Sequence, residues 1–464
     1  MEQQVKHYCG IFAIYGTPEA AAHTALGLHA LQHRGEESSG IASGDGERIH
    51  VHTGMGQVAE VFGDTKVVEG LTGNLAIGHN RYSTTGSDNI VNAQPFVAQC
   101  RDGYVAVAHN GNLTNTAQLR TEMQSTGSIF QTTTDSEIIL HLIARSGETR
   151  IADRTIDALR QIEGAYSLVF ATENCVMAAR DPHGFRPLCL GQLGDSWVVA
   201  SESCALDIIS ARYIRDIEPG ELLIIDAHGL RTYTFAEADR NAFCIFEYIY
   251  FSRPDSMIFG DNVDKTRRKL GKQLALEQPA DADIVIAVPD SSNTAAMGYA
   301  AEAGIKHEIG LIRNHYVGRT FITPGQDNRG AKVRLKFNPV RGVLNGKRVV
   351  VVEDSIVRGT TLRHLVRMIR EAGARQVHVR ISCPPIISPC HYGIDFQSAN
   401  ELIANEKTVE EIRDHLGVDS LGYLSQEGML AVAPNAGRQY CTACFDRNYP
   451  IIIESAADKL ILEK

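Results

Sequence analysis

The sequence has no run of 18 consecutive apolar residues, and its first eight, MEQQVKHY, lack the apolar core of a secretory signal. These absences exclude a helical membrane span and lead us to expect a cytoplasmic chain. An excess of positive charge is missing too. The 45 Lys and Arg stand against 55 Asp and Glu, a formal charge of −10, so no chain-wide nucleic-acid or anionic-membrane surface is expected and any anion site must be local. Internal repeats, low-complexity tracts and Gly/Pro/Ser-rich linkers do not occur. Neither does GxxxxGK[ST] or GxGxxG, which makes ATP and NAD poor first candidates.

What is present is ordinary globular composition, 44% apolar and 22% charged over 464 residues, long enough for two or three domains at roughly 150 residues each. Ten cysteines in an unexported chain read as buried thiols, a nucleophile or metal ligands rather than a disulfide framework. Up to about residue 235 the chain alternates short strands (9–15, 75–79, 104–109) with a few helices (near 18–32 and 135–145), a pattern of layered sheets flanked by helices. From about 260, strands apolar on both faces (IVIAV at 284–288, VVVV at 349–352) alternate with helices, as a central parallel sheet requires. The last stretch, from about 400, reads as helical and ends in a loop carrying CTAC. The main boundary falls near 240.

The segment VVVVEDSIVRGTT, 349–361, sets Glu353 and Asp354 at the carboxyl end of a buried strand, where open α/β sheets bind ligands. A small polar loop follows and leads into a helix N-terminus, which favours a phosphate. The acids suit ribose hydroxyls or a metal carried by a pyrophosphate. A capped helix with surface acids is the plainer alternative, weakened by a second strand that ends in Pro289-Asp290-Ser291-Ser292. Between 313 and 348 stand nine Lys or Arg and one acid, Asp327, and RTFITPGQDNRG within it reads as a mobile basic lid or else as a solvated basic face.

This segment resembles the signature of the type I phosphoribosyltransferases, which bind phosphoribosyl pyrophosphate with magnesium. The resemblance implies that Glu353 and Asp354 hold the ribose and that Ser355, Arg358, Gly359, Thr360 and Thr361 hold the 5-phosphate. It further implies that Asp290 and Ser291 contact the substrate, and that magnesium is shared by Ser291, Glu353 and Asp354. Glu353, where the family more often has Asp, is a mild departure.

In the first half, Cys9 begins a strand and alone would be a buried core thiol. The polar segments LQHRGEESSG (31–40), GHNRYST (78–84), HNGNLTN (109–115) and TTTDSE (132–137) supply what a thiol amidase needs: a guanidinium, an acid, and amide N–H groups for an oxyanion. Together they resemble the glutaminase domain of the N-terminal-nucleophile (Ntn) amidotransferases. That resemblance implies an αββα sandwich in which Cys9 is the nucleophile and its freed α-amine the base. Asn110 and Gly111 would form the oxyanion hole, Arg81 and Asp135 would bind glutamine, and Arg34 would support them. Joined to a phosphoribosyltransferase half, the chain resembles the glutamine-dependent phosphoribosyl pyrophosphate amidotransferases. They convert phosphoribosyl pyrophosphate and glutamine to 5-phosphoribosylamine, glutamate and pyrophosphate, the first committed step of purine synthesis. The implied organisation is a propeptide, 1–8, self-cleaved at Tyr8-Cys9, a glutaminase domain at 9–240 and a phosphoribosyltransferase domain at 241–464. Feedback by purine nucleotides and a homotetramer are also implied.

Cys441-Thr442-Ala443-Cys444 is a CxxC pair that alone could be redox, zinc-binding or neither. Cys244, before IFEYIYFSRPDS, and Cys390, in PCHYGID, match relatives that carry a [4Fe-4S] cluster, and this resemblance decides for iron over zinc. Cys383 is excluded from the set, and Cys100, Cys175, Cys189 and Cys204 are read as structural. A purine repressor that binds phosphoribosyl pyrophosphate without turnover would want a helix-turn-helix arm, which we do not find. A glutaminase serving another synthetase does not account for EDSIVRGTT.

Overall fold

The structure is a computed structural model that describes residues 9–82, 89–101, 103–314, 329–396 and 398–451. Strand Gly10–Tyr15 shows why the first half is layered: Ile11 and Ala13 face one way, Phe12 and Ile14 the other, and all four are fully buried. A strand buried on both faces needs cover on both. Phe12 and Ile14 pack with Ala20, Leu28 and Leu31, from and just after helix Ala20–Ala30. Ile11 and Ala13 pack with Ala106, Ala108, Val169 and Ala178 of a second sheet.

The first sheet has seven antiparallel strands, with Gly10–Tyr15 between Ser196–Ala200 and Leu75–Arg81. The second has six, including Gly103–Leu113 paired to Gly164–Ala171. Its outer face, Val105 and Val107, is covered by Ile138, Ile139 and Leu142 of helix Glu137–Arg145 and by Leu159 of Ile151–Leu159. This is the expected helix–sheet–sheet–helix sandwich.

After Thr234 the chain leaves these sheets, and Phe243–Cys244 pairs with Tyr440–Cys441 far along the sequence. The second half centres on five parallel strands in the order Lys306–His307, Ile284–Ala287, Arg348–Glu353, Gln376–Ile381, Ser420–Tyr423. Val349 to Val352 are fully buried, as their two-sided apolar pattern requires. Helix Thr360–Glu371 buries Leu362, Leu365, Val366 and Ile369, the positions its spacing predicts. Gly359 precedes it at φ 74°, a conformation costly for any other residue type.

Several elements differ from expectation. The strands expected at 75–79 and 104–109 run further into the polar segments: Leu75 runs to Arg81, and Gly103 runs to Leu113. Ladder pairing decides this, since Asn110 and Gly111 lie opposite Ser167 and Tyr166. The region after 400 is not only helical, because the short Ser420–Tyr423 closes the parallel sheet beside Gln376–Ile381. Of the basic run 313–348, residues 315–328 lie outside the described residues. The rest includes helix Arg329–Lys336 and a pairing of Leu311–Arg313 with Phe337–Pro339. Among the described residues no helix is long and apolar enough to cross a membrane.

Candidate active sites

The first site forms where the ends of three strands meet. Cys9 is buried at the start of Gly10–Tyr15, and its Sγ donates to the Tyr82 carbonyl at 3.4 Å. Burial pushes its pKa up to about 11, opposed by the charge of Arg81, while the charges of Glu37 and Asp135 add to the rise. All three residues therefore stand within electrostatic reach of the thiol. Arg81, at the end of Leu75–Arg81, pairs with Glu37 at 3.8 Å. Asp135 accepts from Leu113 N at 2.9 Å and Ser136 Oγ at 3.1 Å, with His109 Nδ1 at 3.5 Å. Burial raises its pKa, but the His109 charge and these hydrogen bonds outweigh it and hold the carboxyl below its ordinary value.

Asn110 is fully buried, and neither its Oδ1 nor its Nδ2 meets a partner among the described residues. An orphaned buried amide costs about 1–3 kcal/mol and is the mark of a position completed by something else. Gly111 follows at φ 153°, where a Cβ would lie 1.9 Å from the Ala165 carbonyl oxygen, so only glycine fits. Of the imidazoles nearby, His109 has Nδ1 on Ser136 Oγ at 3.0 Å, while His79 donates Nε2–H to the His109 carbonyl at 3.0 Å and leaves Nδ1 without a partner among the described residues, its pKa lowered by burial to about 3. Arg34, expected to support the glutamine-binding pair, donates its Nε to the Cys9 carbonyl at 3.1 Å and has its fork held by Glu202 and Glu247, so it braces the Cys9 backbone instead of presenting itself to a ligand. Ser83 and Thr84 of the GHNRYST segment, like residues 1–8, lie outside the described residues.

The second site is a cavity of about 280 Å³ at the carboxyl ends of the parallel strands. Asp290, Ser291, Glu353, Asp354, Ser355, Arg358, Gly359, Thr360 and Thr361, singled out from sequence, all line it. Asp354 accepts from Ser291 Oγ at 2.5 Å and Ser355 Oγ at 2.7 Å. Burial, then the charge of Asp354, pushes the Glu353 carboxyl well above its usual range. Arg313 reaches Asp290 at 2.8 Å, and Arg358 reaches Glu401 at 2.5 Å.

Sequence reasoning missed Tyr250, Ser252 and Arg267 in this wall, which Lys336 of the basic run also joins. Arg267 donates to the Tyr248 carbonyl at 2.6 Å and the Ser252 carbonyl at 2.8 Å, and burial lowers its pKa to about 10. Its sequence context, KTRRKLGK, looks like a solvated helix face, so nothing marked it.

The four selected cysteines converge as well. Cys244, Cys390, Cys441 and Cys444 line one pocket with Arg186 and the apolar Phe185, Ile245, Phe246, Tyr392 and Ile394, and all four are free thiols. Cys244 and Cys441 are partners in the parallel bridge, while Ile387 and Ser388 donate to the Cys444 carbonyl at 2.9 and 3.1 Å. Cys383 is buried outside this lining, its Sγ on the Pro384 carbonyl at 3.2 Å. Among the described residues no three His, Cys, Asp or Glu converge closely enough for a single metal ion.

Residues 79–207 match the family model of a glutamine amidotransferase domain. The chain is 51% identical over 452 residues to amidophosphoribosyltransferase 2, chloroplastic, of Arabidopsis thaliana, covering 97% of this chain and 80% of that protein. It is 50% identical over 450 residues to amidophosphoribosyltransferase of Bacillus subtilis (strain 168), covering 95% and 94%. Among solved structures, the allosteric regulatory enzyme of purine biosynthesis matches with a TM-score of 0.93 at 48% identity, covering 97% of this chain and 98% of that one. Glutamine phosphoribosylpyrophosphate amidotransferase from B. subtilis, complexed with ADP and GMP, matches with 0.92 at 48% identity, covering 97% and 99%. Matched at this identity along nearly its whole length, the chain belongs to the amidophosphoribosyltransferase family, the glutamine-dependent enzymes of the first step of purine biosynthesis.

Proposed function

We propose that the chain hydrolyses glutamine at Cys9 and uses the ammonia to displace pyrophosphate from C1 of phosphoribosyl pyrophosphate, giving 5-phosphoribosylamine. The observation that carries this reading is the presence, in one chain, of a buried thiol flanked by Arg81 and Asp135, a buried orphaned amide in the same sandwich, and an acid-floored pocket ending a parallel sheet. A thiol with a pKa near 11 attacks poorly until a base removes its proton. Its hydrogen bond goes to a carbonyl, His109 Nδ1 is held by Ser136 and burial makes His79 too weak a base, which favours the α-amine of Cys9 itself, with a reference pKa of about 7.7–8.0. An amide nitrogen in Tyr8-Cys9 has no basic lone pair, so residues 1–8 are a propeptide removed before catalysis.

Arg81 then binds the glutamine carboxylate and Asp135 its ammonium. Asn110 Nδ2 and the Gly111 N–H stabilise the tetrahedral oxyanion, a donor that strengthens only as charge develops. In the second domain Glu353 and Asp354 hold the ribose hydroxyls, and Ser355, Arg358, Gly359, Thr360 and Thr361 hold the 5-phosphate, with Asp290 beside them. Ser291, Glu353 and Asp354 are hard oxygen donors that suit Mg²⁺, an ion usually held by one or two carboxylates plus substrate phosphates. When bound it would neutralise the departing pyrophosphate.

Four free thiols around a largely apolar pocket fit a [4Fe-4S] cluster, which four cysteine thiolates hold. Cys244, Cys390, Cys441 and Cys444 would hold it in a structural role, pinning the carboxyl-terminal segment to the junction. Purine nucleotides as feedback inhibitors, a homotetramer, a cytoplasmic location, a lid over the second site and domains at 9–240 and 241–464 complete the proposal.

Pyrophosphate release, measured with glutamine and then with ammonia alone, tests the two-centre reading. Both should support turnover, and no release with either would sink it. Intact-mass and N-terminal analysis of active protein should find Cys9 first; full activity with Met1 retained would defeat the α-amine mechanism.

A further inference from the structure

Four charged side chains, Arg34, Arg186, Glu202 and Glu247, are buried to within 1% where the two halves of the chain meet. Burying an ion pair seldom gains stability over apolar packing of the same shape, so such a group needs another reason to be there. Its geometry offers one. Glu247, at the start of helix Glu247–Phe251 in the second half, takes both arms of the Arg34 fork, Nη1 at 3.1 Å and Nη2 at 2.9 Å. Glu202 takes Nη1 again at 2.5 Å. A guanidinium is planar, so a bidentate partner on Nη1 and Nη2 sets the direction of the remaining donor. That donor, Nε, lies 3.1 Å from the Cys9 carbonyl oxygen.

The Cys9 carbonyl carbon is bonded to the Cα that also bears the thiol-carrying methylene and the α-amine. Fixing the carbonyl therefore fixes the frame of both reacting groups. Glu247 is in turn held by the second half: Ser252 Oγ donates to its Oε2 at 2.7 Å, and Ser252 lines the phosphoribosyl cavity. Arg186 Nη1 approaches Oε1 at 3.4 Å.

We propose that Glu247 is a positioning residue of the glutaminase centre, contributed by the phosphoribosyltransferase half and acting on Cys9 through the Arg34 fork. It rests on Cys9 being the nucleophile, and it makes the thiol centre incomplete without the second domain. Loss of geometry of this kind lowers the rate of the step it serves, by as much as about 10²-fold for a 1 Å misplacement, and leaves an independent centre untouched.

The test uses the full chain carrying Glu247→Gln and, separately, Arg34→Lys, which keeps a buried positive charge but loses the fork. Glutamine-dependent kcat should fall by at least ~10-fold with a smaller change in KM for glutamine, while ammonia-dependent turnover stays within about twofold. Alkylation of Cys9 by a glutamine-like chloroketone, followed by intact mass, should slow in proportion. Equal loss with both nitrogen donors would reduce Glu247 to a strut of the junction, and an undiminished glutamine kcat in either folded variant would overturn the proposal. If Glu247→Gln does not fold, Arg34→Lys decides alone. Cys9→Ala separates the two levels: glutamine-dependent turnover surviving in it rejects the nucleophile, whereas its loss there with a normal kcat in Glu247→Gln rejects only the positioning role.

Discussion

Ser291 Oγ donates to Asp354 Oδ2 across 2.5 Å and so joins the loops that follow two neighbouring parallel strands, Ile284–Ala287 and Arg348–Glu353. Asp354 is 3% exposed and its other oxygen is held by Ser355. The carboxylate is thus locked in place at the floor of the second site, which both nitrogen donors must use in the proposed reaction. Asp354→Asn should lower turnover with glutamine and with ammonia alike, by ~10-fold or more, equivalent to roughly 1.4 kcal/mol of barrier. Pyrophosphate release reads the effect. Full activity with either donor would remove Asp354 from the site.

The first site predicts the opposite selectivity. Cys9→Ala should abolish glutamine-dependent turnover and spare the ammonia reaction, since in the proposed reaction the thiol serves only amide cleavage. Asn110→Ala adds a second, independent sign. Its amide has no partner among the described residues, so removing it relieves a burial penalty of about 1–3 kcal/mol while leaving a small cavity. The thermal midpoint should therefore hold or rise as glutamine-dependent kcat falls ~10²-fold. A variant that loses stability and both activities together would show a packing role instead.

Much of this was legible in the residues, and the losses have definite causes. EDSIVRGTT and the four scattered cysteines are local patterns whose chemistry survives any fold that brings them together, and the second pocket and the thiol pocket are lined accordingly. Arg34 was harder, because its role depends on Glu202 and Glu247, 168 and 213 residues away. No spacing rule spans such distances. Ser420–Tyr423 was hidden for another reason: four residues, SLGY, carry too little apolar periodicity to distinguish an edge strand from a turn. Asn110 looked like a loop residue because a polar side chain buried in a strand end contradicts the usual apolar pattern, and that conflict is what a functional site produces.

The thiol pocket yields a compositional prediction. Anaerobically purified protein should be brown and contain about four irons and four sulfides per chain. Serine at Cys244, Cys390, Cys441 or Cys444 should lose the colour, and Cys383→Ser should keep it, because Cys383 does not line the pocket. Colourless protein holding one zinc would overturn the cluster assignment.

The last prediction concerns acid stability and rests on His79. The ring is fully buried in strand Leu75–Arg81 and its Nε2 pairs with the His109 carbonyl, so Nε2 carries the proton. Burial, aided by the positive charge of Arg81, lowers its pKa to about 3, against about 6.5 in an unfolded chain. The folded state therefore keeps this imidazole neutral where the unfolded state binds a proton. Its contribution to stability is fully present above about pH 6.5 and is lost as pH falls from there toward 3, at up to ~1.4 kcal/mol per pH unit. His79→Gln retains a donor for the His109 carbonyl but cannot titrate, so its stability should decline less steeply over that interval. Urea midpoints measured at about pH 7, 5 and 4 would compare the two proteins. Parallel profiles would mean that His79 is not the group whose protonation in the unfolded chain erodes stability in acid.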